Sequence, residues 1–257
     1  MRVTMAGDGG YSVGSVACAV VVCLFVSSVR PAAAQDGPPV SDEFRYIFQL
    51  GHPIFGPLSG EGYVAVFDQV DEDTTTYRLS TPNVRYRVNS WFEGWGGVIF
   101  NWNDNHAGAN SHEVRPFAGA KVSAPNYVHL HLYNLTRFEW RFVTDAGSDT
   151  TTLTKRLRSR FAVEFPLSER AWEPRTFYGS TDVEPIADLT DHFMEDVRFE
   201  AAAGYIVNDR LRLEFQYTTQ LTRQAAGDPL TYGDNLYWFT VKFGLGHGLV
   251  DSLIQPD

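Results

Sequence analysis

Residues 210–217 read Arg210-Leu211-Arg212-Leu213-Glu214-Phe215-Gln216-Tyr217. Polar and large apolar residues alternate without a break. Side chains alternate across a β-strand, so this run has one wet face and one greasy face. Which face points at what decides the class of protein.

The pattern recurs along the chain, and helical periodicity is nearly absent. Strands are expected at Gly62–Gln69, Val84–Asn89, Trp95–Asn103, His112–Val122, Val128–Phe142, Arg156–Phe165, Thr176–Ile186, Val197–Val207, Arg210–Gln220 and Leu236–Phe243, with a shorter one at Phe44–Leu50. Tight turns are expected at Glu93-Gly94, Ser123–Asn126 and Asn208-Asp209, with Pro166–Pro174 as the exception. The other connections read as longer polar loops: Asp71–Thr76, Asp104–Ser111, Asp145–Thr150, Ala187–Glu195 and Thr222–Asn235. Short turns at one end and long loops at the other are the signature of a bacterial outer-membrane barrel. Such single-chain barrels have an even number of strands. About ten are therefore expected, with Phe44–Leu50 as a periplasmic or plug-like strand, or twelve if a further strand lies near residues 51–60.

The 257 residues suit one domain or two small ones; 44% hydrophobic and 20% charged describes a chain that folds. Val13–Val29 is an apolar run behind a head containing Arg2, followed by Pro31-Ala32-Ala33-Ala34-Gln35. This reads as a secretory signal peptide cut after Ala34. Both cysteines, Cys18 and Cys23, fall inside it, so no disulfide or thiolate chemistry is expected of the mature chain. The net charge of −10 gives no basic patch for nucleic acid. After residue 34 no apolar run is long enough for a transmembrane helix, so a membrane would have to be crossed by strands. The expected layout is a signal peptide at 1–34, an N-terminal segment with a short strand at 35–61, a barrel at 62–243 and a tail at 244–257.

Alternation alone does not orient the faces. A lipocalin-like soluble barrel buries the apolar face, and a membrane barrel inverts this. Three observations favour inversion. The signal peptide exports the chain. Arginine and glutamate mix on the polar face, where they would pair across a narrow lumen, and lysine is scarce: only Lys121, Lys155 and Lys242. Several spans are also long enough to cross a bilayer when tilted.

The candidate interior charge network is Arg85, Arg87, Glu113, Arg115, Arg137, Glu139, Arg141, Arg156, Arg158, Arg160, Glu164, Arg198, Glu200, Arg210, Arg212 and Glu214. It reads either as a constriction selecting small anions or a lipid headgroup, or as a pairing network that fills the barrel and fixes register; the second is preferred. An acid-rich stretch, Asp182, Glu184, Asp188, Asp191, Glu195 and Asp196, reads as a solvated loop whose spacing fits no calcium-binding EF-hand. His129 and His131 share a face with Tyr133 and read as interior polar residues rather than metal ligands. Ser111 and His112 are adjacent on a strand, point to opposite faces and cannot readily pair for acyl transfer. No catalytic set, metal site or cofactor is expected.

Glu113-Val114-Arg115-Pro116, Arg137-Phe138-Glu139-Trp140-Arg141, Arg156-Leu157-Arg158-Ser159-Arg160 and Arg198 with Gly204-Tyr205 resemble, in order and spacing, successive strands of domain-of-unknown-function family 2490. The resemblance spans about Gly62 to Phe243. It implies an outer-membrane barrel without an assigned activity and supplies no catalytic residues. The resulting expectation is an all-β, antiparallel up-and-down barrel in the outer membrane of a Gram-negative bacterium, with a largely plugged, charged lumen and a structural, envelope or narrow transport role. Its surroundings would be outer-membrane lipid, lipopolysaccharide and the barrel-assembly machinery. The alternatives are an outer-membrane enzyme modifying lipid or lipopolysaccharide, and a soluble periplasmic ligand-binding barrel.

Overall fold

Period-two alternation builds strand throughout: among the described residues there is no helix. A computed structural model describes residues 41–245, apart from 71–72, 107, 126–129, 169–171 and 224. The segment read as a signal peptide, with Cys18 and Cys23, and His129, His247 and the C-terminal tail beyond Leu245 lie outside the described residues.

Eleven strands form one closed barrel: β1 (Asp42–Phe55), β2 (Leu58–Gln69), β3 (Thr74–Arg87), β4 (Phe92–Asn105), β5 (Ser111–Ser123), β6 (His131–Asp145), β7 (Thr150–Pro166), β8 (Thr176–Asp188), β9 (Phe193–Asn208), β10 (Leu211–Thr222) and β11 (Thr231–Gly244). Consecutive strands pair antiparallel, as expected. The closing pair does not: β1 runs parallel to β11 from Asp42 opposite Asn235 to Gly51 opposite Gly244.

That closure corrects the expected layout. The wall begins at Asp42 rather than Gly62, and residues 51–60 are the β1–β2 hairpin rather than a twelfth strand. The even-number expectation assumed an antiparallel closing pair. A parallel pair closes an odd sheet equally well, because every edge N–H and C=O still finds a ladder partner. Aromatic rings cover this seam from outside. Phe44 stacks on Tyr237 at 5.2 Å and Tyr237 meets Tyr217 at 5.5 Å. One step down, Tyr46, Phe239 and Phe215 repeat the row at 5.7 and 5.1 Å. Cross-strand aromatic pairs of this kind add stability beyond their buried area.

The two-ended loop asymmetry is also corrected. At the rim where β1 begins, here the upper rim, the connections are 70–73, 106–110, 146–149, 189–192 and 223–230. The lower rim has 56–57, 88–91, 124–130, 167–175 and 209–210, so it carries both the shortest and the longest connections. The supposed long loops shrink because threonine and asparagine at the strand ends extend the ladder. Thr144 and Thr151 are register partners with hydroxyls 2.8 Å apart, and the Thr76 hydroxyl donates to Asn103 at 2.8 Å. The turn expected at Glu93-Gly94 sits instead at 88–91, where the Asn89 side chain accepts from the N–H of Trp91 and Phe92 at 3.0 and 2.8 Å. This is the local bond that makes asparagine a turn former.

The faces are inverted relative to a soluble barrel. Leu213 and Phe215 are each 44% exposed on the outside, while Arg212, next to Leu213 in the chain, is 3% exposed. Tyr46, Phe48, Val64, Tyr77, Trp102, Phe161 and Phe177 are exposed too, and Glu113, Arg115, Glu139 and Arg158 are buried.

The parallel seam is testable. Phe48 and Val241 are outward-facing register partners, and neighbouring strands lie about 4.8 Å apart, within disulfide reach. Phe48→Cys with Val241→Cys is expected to form an oxidation-dependent cross-link on a non-reducing gel. Phe44→Cys with Val241→Cys, offset by about 13 Å along the strand, is expected to stay open. Equal cross-linking of both pairs, or of neither, would refute this register.

Candidate functional site

The interior is assembled from residues two apart on neighbouring strands, the spacing that places them on one face. Its hub is Glu139 on β6, with 0% exposure. Arg137 Nη2 lies 2.6 Å from one carboxylate oxygen, Arg158 Nη1 3.6 Å from the same oxygen, and Arg115 Nη1 3.5 Å from the other. None of the three aligns as a hydrogen bond, so Glu139 is held by converging positive charge rather than by directed donors.

Each of those arginines has further company. Arg115 forks onto Glu113 at 3.0 and 2.7 Å, and Glu113 also takes Arg141 at 2.5 Å and Asn101 at 2.6 Å. Arg158 forks onto Glu184 at 3.2 and 2.5 Å. Arg160 stands 3.7 Å from Glu184 and 3.8 Å from Asp182 and Glu200. Arg156 pairs with Glu195 near the upper rim. The result is a chain of alternating charge crossing β5 to β9. Bidentate arginine–carboxylate geometry fixes orientation as well as charge.

Smaller groups surround the belt. Arg85 binds Glu61 at 2.9 Å and approaches Glu93 at 3.4 Å. Glu214 accepts from Lys242 at 2.9 Å and from the Tyr178 hydroxyl at 2.7 Å. Glu164 accepts from the Tyr133 hydroxyl at 3.2 Å and lies 3.6 Å from His131. Arg198 donates to Gln220 at 2.8 Å, and Arg212 lies over the Tyr178 ring.

At the lower end, Trp172 of the connection 167–175 packs onto barrel residues. Trp172, at a left-handed φ of 60°, stacks on His131 at 4.2 Å and packs against Tyr178 and Ile206. Gly204 makes room for this packing: a Cβ there would stand 2.0 Å from the Tyr178 ring. Beside the belt, lined by residues that include Arg45, Phe67, Arg78, Arg198 and Trp238, lies a cavity of about 250 Å³.

Arg85, Glu113, Arg115, Arg137, Glu139, Arg141, Arg156, Arg158, Arg160, Glu164, Arg198, Glu200, Arg212 and Glu214 make the contacts above, and Arg87 pairs in register with Glu93 at the lower end. Arg210 is the exception. It is exposed in the β9–β10 turn, where its N–H donates to Asn208 Oδ1 at 2.8 Å, so the charge alternation begins only at Arg212. The acid-rich stretch is corrected as well. Asp182, Glu184 and Asp196 are interior, on β8 and β9, and they serve as counter-ions to the arginines. The two-residue spacing of Asp182 and Glu184 is the available signal, and Pro185 directly after them weakens it. Among the described residues no group of three or more metal-binding side chains converges. Ser111 faces inward and accepts from Asn103, while His112 is exposed on the opposite face. The residues that sequence reasoning missed are Glu43 and Arg45 on β1, Glu61 on β2, Arg78 on β3, Lys242 on β11 and Trp172. Four of the six lie on strands outside or at the edge of the expected barrel.

Fold and site together define a class: a closed barrel with an apolar outer wall and an ion-paired interior. The chain belongs to the family described as protein of unknown function, DUF2490, whose model matches residues 67–231. The matched stretch runs from late β2 to the first residue of β11 and leaves β1 out. No curated protein matches the chain.

Removing a carboxylate from between three guanidiniums leaves buried charge unpaired, a loss of about 3–5 kcal/mol. Glu139→Gln is expected to lower the urea unfolding midpoint accordingly. Adding Arg137→Gln is expected to cost less than the two single effects combined. Strict additivity would show that Arg137 and Glu139 do not interact.

Proposed function

We propose that the protein is an outer-membrane β-barrel whose interior is a structural ion network rather than an open pore. One observation carries this reading: the apolar face points outward and the charged face inward. An exposed ring of Tyr46, Phe48, Val64, Tyr77, Leu213 and Phe215 is costly in water and favourable against lipid hydrocarbon. Closure of all eleven strands satisfies the demand that no backbone donor or acceptor face lipid unpaired. The secretory signal read in residues 1–34 supports export, and the strands of 12 to 17 residues exceed the roughly 9–11 needed to span a bilayer at a tilt.

The plugged interior follows from burial. Glu139 and Thr218 have 0% exposure, and Arg115 has 4%. A continuous aqueous pore lined by these groups would leave them wet. The role is therefore envelope maintenance: a rigid wall element that offers its outer face to lipid.

Fractionation tests the reading. The protein is expected in the outer-membrane fraction, with gel mobility that changes on boiling, and with no steady conductance in a planar bilayer. Recovery in the soluble periplasm would overturn the membrane assignment. Stable channels in the unmodified protein would overturn the plug.

A further inference from the structure

We propose that the interior cavity is a binding site for a phosphate-type oxyanion, held by Arg45, Arg78 and Arg198. The site lies inside the plugged barrel of the preceding reading and deepens it by giving the interior a ligand.

The cavity of about 250 Å³ has room for on the order of eight waters. Its lining carries Arg45, Arg78, Arg198 and five further cations together with carboxylates that include Glu61, Glu184 and Glu214. Most of these cations are engaged by the carboxylates already described. Arg78 is not. Its Nε donates to the neutral Asn101 at 2.7 Å, and among the described residues no carboxylate forms an ion pair with it. Arg198 is nearly as isolated, with neutral Gln220 as its close acceptor and Asp196 only at 4.0 Å.

These two cations share Arg45 as a like-charged neighbour. Arg45 and Arg78 sit over the same Phe67 ring, at 4.6 and 4.4 Å, and Arg45 also sits over Trp238 at 4.3 Å. Electrostatically, Arg198 is repelled by Arg158 and Arg45, and Arg78 by Arg115 and Arg45. Only Arg45 has a close carboxylate, Glu43 at 2.5 Å. Trp238, which lines the same cavity, has a buried indole N–H without an acceptor. Three guanidiniums gathered from β1, β3 and β9, with a spare indole donor, demand an acceptor of multiple negative charge. Arginine forks match the oxygens of phosphate, which can satisfy several at once.

The phosphate could come from a free ion or from a lipid headgroup, and the experiment separates them. The full chain, purified in phosphate-free buffer and detergent, is titrated with inorganic phosphate, and with chloride at matched ionic strength, by calorimetry. Saturable binding of phosphate but not chloride is expected. Arg78→Gln and Arg198→Gln lie outside the Glu139 hub and are each expected to weaken binding at least about tenfold. A response to phosphate no greater than to chloride, or full affinity in both variants, would overturn the site. In a second arm, short-chain phosphatidic acid is added to the micelles. Displacement of phosphate identifies a lipid source, and undisturbed phosphate binding identifies a free ion; either supports the site. Phosphate binding by a protein recovered from the soluble periplasm would keep this site and discard the membrane reading. Absence of binding by a heat-modifiable outer-membrane protein would do the reverse.

Discussion

A charge placed inside a barrel must be neutralised where it stands, and that constraint organises this molecule. Glu139 cannot reach water, so Arg115, Arg137 and Arg158 must converge on it from three adjacent strands. Those arginines then need their own carboxylates, which Glu113 and Glu184 supply from β5 and β8. Register follows from the same demand. A one-residue slip of any of these strands would turn its charges onto the outer wall and its outward apolar residues into the interior. The network thus selects one alignment of the sheet, whatever its net contribution to stability.

Prolines mark where the wall yields. Thr81 and Pro82 bulge β3 against both neighbours, between Ser80 and Asn83. The ladder pairing also lapses at Pro116 on β5 and at Pro185 on β8, each of which lacks the N–H the ladder needs. Both sites adjoin belt residues: Arg115 precedes Pro116 and Glu184 precedes Pro185. Where backbone bonds are missing, ion pairs such as Arg158 with Glu184 cross the same strand boundary and hold it.

How much of this could be read in the sequence depended on the physical signal each part left. Two-faced strands such as Leu211–Thr222 were legible because period two belongs to the local chain. So was the belt on β5 to β7, where Arg and Glu alternate with Val, Phe and Leu. Strand ends were not, because Thr150–Thr152 and Asn103–Asn105 have the composition of loops and become strand only through partners across the ladder. The closing strand was legible in part. Glu43 and Arg45 alternate with Phe44 and Tyr46 in the same pattern as β10, but pairing direction is a property of the closed sheet and leaves no trace in one segment. Arg78 showed nothing special either; its lack of a counter-ion exists only once the strands around it are in place.

An odd number of strands also gives the chain a polarity that an even barrel lacks. Ser41 stands at the upper rim and Gly244 at the lower one, because the chain crosses the wall eleven times between them. With the proposed bilayer around that wall, Ser41 ahead of β1 and Leu245 after β11 face different compartments. A barrel of ten or twelve strands delivers both ends to one side, where they can meet the same partners. Under that proposal, a partner that meets the start of β1 cannot also meet the end of β11 except through the barrel.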